Sequence, residues 1–354
     1  VFFIIGLLGC ASIQAALDYE PPETDTALSA TGVQTSETSL VQTTAEQDGY
    51  GTILASVPLA GAEDVVIVGD IAYVAAGESG LYVVDIYDSS YPFVLRELDV
   101  SSAWKLQVEK GQLLVSARNN GLYIFDISTA AEPQMINHFD PSWNIYDGVS
   151  FGESLVVVGG VVGDGRVAVL SEIEGFEFET ISSISGAEQA GRTVVVKDDY
   201  AYVGQTEGYM TILDLLDPKS IQVSGVFEPE KSLTVHESLV NIRLMDDFLV
   251  AGAGDQGLRV FDVTDPARAE LVATYEGQPV LDFVPFEDRV VVVGGNGLAL
   301  VDISNPKKPV SIESQVNLTL LNGSEPRAIA LDNGIAYVAD HGESALVLVT
   351  IQGE

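Results

Sequence analysis

The chain repeats itself roughly every 44 residues, and its clearest copies close on Gly-Leu-x-x-x-Asp-Ile/Val: GLYVVDI from Gly80, GLYIFDI from Gly121, GLRVFDV from Gly257 and GLALVDI from Gly297. Asp85, Asp126, Asp262 and Asp302 mark the ends of these copies, and Asp214 in GYMTILDL belongs to the same series. RVAVLSE and ALVLVTI put Ser171 and Thr350 at the equivalent point, so seven copies are countable, spaced 41, 45, 43, 48, 40 and 48 residues apart. That period is the length of a four-stranded propeller blade rather than of a helical repeat.

Inside each copy, short Val/Ile/Leu/Tyr runs alternate with Gly, Asp, Asn and Pro punctuation, which is the pattern of strands and turns. The first copy predicts strands over Asp64–Val68, Ile71–Ala75, Leu81–Ile86 and Phe93–Val100. Runs apolar on both faces suit sheets sandwiched between neighbouring sheets, so the core is expected blade against blade. The repeat then ends in turn chemistry, DISTAAEP, DLLDP, DVTDP and DISNP. There an aspartate can accept amide hydrogen bonds while proline presets φ. These aspartates are therefore read as structural. The last copy supplies three strands before the chain stops, and Thr52–Leu59 reads like the outer strand found elsewhere. The expectation is an all-β, seven-bladed β-propeller of four-stranded antiparallel blades, its last blade completed by the N-terminal outer strand, which removes an open sheet edge.

IAYVAAGESGLYVVDI from Ile71 and AIALDNGIAYVAD from Ala328 resemble the repeats of the LVIVD family. The copies between Pro141 and Ile184 and between Ser185 and Pro229 depart from the family pattern. The resemblance spans about residues 52–354 and implies a β-propeller at a bacterial or archaeal cell surface. It brings no shared catalytic residue set.

The N-terminus carries the second signal. Val1–Gly9 is apolar and too short to span a bilayer, and it runs into Leu7-Leu8-Gly9-Cys10. This resembles a bacterial lipobox, which implies cleavage before Cys10 and lipidation of its thiol. Cys10 is the single cysteine, so no disulfide can form within the chain. Residues 11–50 contain seven acidic residues, no Lys or Arg, and much Thr, Ser, Ala and Gln, a composition that does not fold by itself. The expected organisation is a signal segment over 1–9, a lipidated Cys10 with an acidic tether over 10–50 that reaches roughly 35 Å, and a propeller over 51–354. The expected location is exported, at the outer membrane or cell surface and facing outward.

Sixteen basic residues against 52 acidic ones give a net charge of −36. Phosphate backbones need the Lys and Arg that are scarce here, which excludes nucleic acid, and anionic lipid is disfavoured for the same reason, leaving Cys10 as the route to a membrane. No cofactor is expected. GAGDQG from Gly252 and GGVVGDGR from Gly159 hold Gly and Asp in a way compatible with calcium, but neither has the EF-hand order of ligands.

In a propeller the loops leading into the inner strands, and those joining second to third strands, gather on one face. Mapping the copies puts Trp104, Arg118, Asn120, Tyr146, Arg192, His236, Asp282, Arg327, Asp340 and His341 there. Arg118, Arg192 and Arg327 come from three copies, and their convergence would make a local anion site unless each pairs with a neighbouring acid. No His-Glu-x-x-His, Gly-x-Ser-x-Gly or phosphate loop is present. The preferred reading is a lipid-anchored, non-catalytic binding or assembly module that recognises a protein, a glycan or another copy of itself, including assembly into an array or filament. The alternative is an extracellular hydrolase or lyase acting on a polymer with His236, His341 and channel acids.

Overall fold

A computed structural model describes residues 51–173, 177–187, 189–229, 238–295, 297–312 and 324–351. The expected lipidation site Cys10, the apolar run before it and the tether lie outside the described residues, as does His236. The strands form seven four-stranded antiparallel sheets, six of them in sequential order and the seventh completed by the first strand of the chain.

β1 (Ile53–Pro58) precedes the first sheet, which holds β2 (Asp64–Val68), β3 (Ile71–Ala75), β4 (Leu81–Asp85) and β5 (Phe93–Leu98). Blade two holds β6 (Lys105–Glu109), β7 (Gln112–Ser116), β8 (Leu122–Asp126) and β9 (Gln134–Phe139). Blade three holds β10 (Ile145–Phe151), β11 (Ser154–Val161), β12 (Asp164–Ile173) and β13 (Glu177–Ala187). Blade four holds β14 (Gly191–Lys197), β15 (Tyr200–Gln205), β16 (Met210–Asp214) and β17 (Gln222–Phe227). Blade five holds β18 (Asn241–Met245), β19 (Phe248–Gly252), β20 (Leu258–Asp262) and β21 (Glu270–Tyr275). Blade six holds β22 (Asp282–Phe286), β23 (Arg289–Gly294), β24 (Gly297–Asp302) and β25 (Val310–Ser311). Blade seven holds β26 (Pro326–Asp332), β27 (Ile335–Asp340) and β28 (Ala345–Thr350), and β1 is its fourth strand.

The ring therefore closes as the strand count demands. Ala55, Val57 and Pro58 of β1 lie opposite Leu348, Leu346 and Ala345 of β28. The amide of Gly51 donates to the Thr350 carbonyl at 2.9 Å, and that of Leu59 to the Ser344 carbonyl at 2.7 Å. The core is a set of layers between blades: Val74 and Val84 of blade one pack with Leu346 and Leu348 of blade seven, and Tyr73 and Val83 pack with Leu113 and Phe125 of blade two. Each sheet is buried on both faces, which is why its middle strands read as continuous apolar runs.

The recurring Gly-Leu and Asp now have physical reasons. Gly121 sits at φ +80°, and a Cβ there would collide with the Phe139 carbonyl of the outer strand. Only glycine meets both conditions without strain. The terminal aspartates make the same turn five times. Asp85, Asp126, Asp214, Asp262 and Asp302 accept from the amide two residues on, at 3.0, 2.7, 2.9, 3.0 and 2.9 Å.

Candidate functional site

The copies, aligned at the head of each innermost strand, place Asp64, Lys105, Asp147, Thr193, Asn241, Asp282 and Ala328 at one position. An innermost strand has a free edge whose amides need acceptors away from bulk water. Three carboxylates supply them across blade boundaries: Asp64 accepts from Leu106 N at 2.8 Å, Asp147 from Val194 N at 3.0 Å and Asp282 from Ile329 N at 2.9 Å. Each also accepts from the amide of the residue after it. Lys105 Nζ lies 3.8 Å from Asp64 Oδ2. Burial alone would favour its neutral form, but Asp64, Asp282 and Asp147 around it hold its pKa above the ordinary lysine value.

One residue before that position, at the channel mouth, stand Glu63, Trp104, Tyr146, Arg192, Val240, Leu281 and Arg327. Tyr146, Arg192 and Arg327 are each the extra residue where the register shifts, between Ile145 and Asp147, between Gly191 and Thr193, and between Pro326 and Ala328. A bulge turns a side chain out of the alternation of its strand. Arg192 Cζ lies 4.3 Å from the centre of the Tyr146 ring. Arg118, from the turn between β7 and β8, lies over Trp104 at 3.1 Å, and the Trp104 indole donates to Ser102 Oγ at 2.8 Å, which donates on to Glu78 at 2.7 Å.

Arg118 has a left-handed backbone, φ +50°, at a turn position that Gly77 and Gly254 fill with φ +53° in their own blades. An arginine there carries strain of about 1–2 kcal/mol. Its Nε is buried without a hydrogen-bond acceptor. Burial lowers its pKa, with Tyr146 and Glu63 pulling the other way and Arg192 adding to the depression. The three arginines thus share one electrostatic neighbourhood, because Glu63 also feels Arg327 and Arg118. Arg327 Nη2 lies 3.5 Å from Glu325, an exposed pair of small energetic weight.

His341 Nδ1 lies 2.9 Å from Glu63 Oε1, close enough for a polar contact but off the line of a good hydrogen bond. The contact joins blade seven to blade one. Burial raises the Glu63 pKa, with His341, Arg327 and Arg118 opposing. A cavity of about 210 Å³ opens here, lined by Glu63, Asp64, Trp104, Lys105, Asn241 and Arg327 among others.

Of the residues placed on this face from sequence, Trp104, Arg118, Tyr146, Arg192, Arg327 and His341 come together at the mouth. Two do not present themselves to a ligand. Asp282 is 2% exposed and binds Phe283 N, Ile329 N and the Asn241 side chain; Asp340 is 0% exposed and binds Ser324 Oγ, Glu325 N and Glu343 N. Asn120 serves the rim, its side chain donating to the Ser101 carbonyl at 3.3 Å and its own carbonyl meeting His138 Nε2 at 2.7 Å. Glu63, Asp64, Lys105 and Arg243 were not singled out from sequence. A signal was available: the head of the innermost strand is polar in every copy but the last, directly before an apolar run. In the two glycine loops weighed for calcium, Asp164 is engaged by Arg166 at 2.7 Å, and among the described residues no group of three or more His, Cys, Asp and Glu forms a metal-binding cluster.

The LVIVD repeat model matches residues 61–99, 102–140, 190–228 and 290–315. The fold is a seven-bladed β-propeller, and these segments of it carry LVIVD repeats. The matched segments include blade four, expected from sequence to depart from the family pattern, and they omit blades three, five and seven, although AIALDNGIAYVAD of blade seven resembles the repeat. No curated protein matches the chain. Among solved structures, one titled as the crystal structure of the Mitotic Checkpoint Complex is 14% identical, covering 93% of this chain and all of its own at a TM-score of 0.66. The computationally designed Ika8 protein is 15% identical, covering 83% of this chain and 98% of its own at a TM-score of 0.54. At these identities the likeness is one of fold.

The buried carboxylates make stability depend on pH. Asp147 is 2% exposed, and burial pushes its pKa up to about 6, against hydrogen bonds and Lys105 that lower it. Asp64 shifts in the same direction. A raised carboxyl pKa means the folded state holds its proton more tightly than the unfolded chain does. That stabilisation is fully present below about pH 4 and is lost as pH rises through 6, about 3 kcal/mol for Asp147. Asp262, held at about 2 by Thr264 and Lys307, acts oppositely and only below pH 4. Calorimetry should therefore find a higher melting temperature at pH 5 than at pH 8, and Asp147→Asn should shrink that difference. An equal difference in the variant would remove Asp147 as its source.

Proposed function

We propose that this protein is an exported, lipid-anchored binding module that takes its ligand at the channel mouth and does not transform it. The reading is carried by the mouth itself: bulges in three innermost strands and a left-handed arginine turn side chains from separate blades toward one opening. Propellers use such an opening as a ready-made concave site. The groups suited to acid–base work are occupied with each other, His341 with Glu63, while Arg118 and Arg192 rest on aromatic rings. Held cations around an open cavity suit recognition. The anchor is supported by the Leu7-Leu8-Gly9-Cys10 sequence, and the acidic segment after it would hold the propeller away from the membrane.

The test uses the full chain on peptide and glycan arrays, with products of every spot analysed. Val240→Trp, which fills the cavity, should abolish retention without changing the melt. Turnover that disappears with His341→Ala would overturn the reading in favour of an enzyme. Cys10→Ser should move the protein from membrane to soluble fractions, and retention of that variant would remove the lipid anchor.

A further inference from the structure

We propose that the channel mouth captures the C-terminal carboxylate of a neutral or basic peptide, gripped by Arg118 and Arg192 with Arg327 at the rim. This deepens the reading of the mouth as the binding face and rests on it.

The first argument is an inventory of cations. In a chain with 52 acidic residues, an arginine ordinarily finds an acid. Five of the nine arginines, Arg96, Arg166, Arg243, Arg289 and Arg327, pair with a carboxylate. Arg118 and Arg192 are partly buried and, among the described residues, reach no carboxylate within ion-pair distance. Arg118 also keeps a buried Nε without an acceptor, and a desolvated donor left unpaired is costly.

The second argument is geometry. Arg118 Cζ lies over the Trp104 ring and Arg192 Cζ over the Tyr146 ring, contacts that hold each guanidinium at the mouth without using up its N–H donors. That arrangement suits bidentate contact with an oxyanion. The backbone carries costs to hold it: φ +50° at Arg118 where other blades use glycine, and bulges at Arg192 and Arg327.

The surrounding field then selects among anions. Glu63 and Glu78 flank Arg118, and the whole chain carries −36. A phosphate dianion meets about twice the repulsion of a carboxylate for a similar grip, and a polyuronate adds repulsion with every sugar. A peptide end brings one negative charge, and basic side chains upstream of it are attracted to the acidic surface. Carboxylate-end capture by fixed donors is an established mode of peptide recognition. The cavity of about 210 Å³, which Trp104 and Arg327 line beside the Arg118 and Arg192 pair, is of a size for a small terminal residue.

The experiment compares acetyl-Ala-Lys-Ala as the free acid and as its C-terminal amide by calorimetry on the full chain at constant ionic strength. Trigalacturonate and inorganic phosphate serve as the competing anions. The free acid should bind at least tenfold more tightly than the amide, and that ratio should fall toward one in both Arg118→Gly and Arg192→Gln. Arg118→Gly is expected to fold with an unchanged or higher melting temperature, since Gly77 and Gly254 hold the same turn; Arg118→Lys keeps the charge and loses the fork, and should weaken the acid as well. Equal affinity for acid and amide overturns the proposal. Tighter binding of trigalacturonate or phosphate overturns the peptide assignment. If array ligands lost in Val240→Trp bind undiminished to Arg118→Gly, the mouth remains the binding face and the carboxylate grip alone is refuted.

Discussion

A chain starting at residue 61 should melt on the order of 10–20 °C below one starting at residue 51, because about 5–8 kcal/mol leaves with the strand β1. Ala55, Val57 and Leu59 are buried in the layer between blades seven and one, and β1 supplies backbone partners along β28. Its loss exposes the edge of β28, whose sequence ALVLVT is apolar enough to recruit other chains. A loss of this size approaches the whole stability of an ordinary domain. Velcro-like closure also makes a reversible prediction: a synthetic peptide of residues 50–61, added in excess, should raise the melting temperature of the shortened chain by mass action. Equal melting of the two chains, or no response to the peptide, would refute closure by β1.

The architecture was legible because it is written repeatedly. A glycine needed at positive φ, an aspartate bonded two residues on, and a fixed interval recur until the blade is unmistakable, and the missing fourth strand at the C-terminus points to Thr52–Leu59. Strand ends were less legible. Leu81–Ile86 and Phe93–Val100 each run past the observed Leu81–Asp85 and Phe93–Leu98, since Ile86 and Val100 are buried while pairing outside the ladder. Blade three departs from the repeat signature yet forms the same four-stranded sheet, because burial on both faces constrains hydropathy more than identity.

The mouth was legible in part, for a physical reason. Arg192, Arg327 and Tyr146 precede apolar runs, which locates them, but a bulge is a property of pairing and cannot be read from one strand. Asp282 and Asp340 look like loop residues from their local sequence. Their burial is decided elsewhere, Asp282 by an amide 47 residues away, and such contacts have no local signature. Lys105 is the converse case: an ordinary surface residue by type, it becomes a channel cation only when Asp64, Asp147 and Asp282 are brought round it by ring closure.

That dependence gives the second large expected effect. Asp282→Ala should destabilise the propeller by about 3–5 kcal/mol, a fall in melting temperature on the order of 10 °C. The carboxylate accepts from Phe283 N at 2.7 Å and Ile329 N at 2.9 Å, is bonded by the Asn241 side chain, and lies 3.4 Å from Arg243 Nη2. Alanine leaves two buried amides without acceptors and uncouples blades five, six and seven at one point. Asp282→Asn keeps the shape but turns one acceptor into a donor, so an intermediate loss is expected. Asp302→Ala provides the scale: it removes a turn bond to Ser304 at 2.9 Å on the exposed rim and should cost about 1 kcal/mol. Circular dichroism melts of the three variants decide the matter. Should Asp282→Ala melt with Asp302→Ala, buried carboxylates would not be what ties neighbouring blades together at the channel, and the apolar layers alone would have to hold the ring.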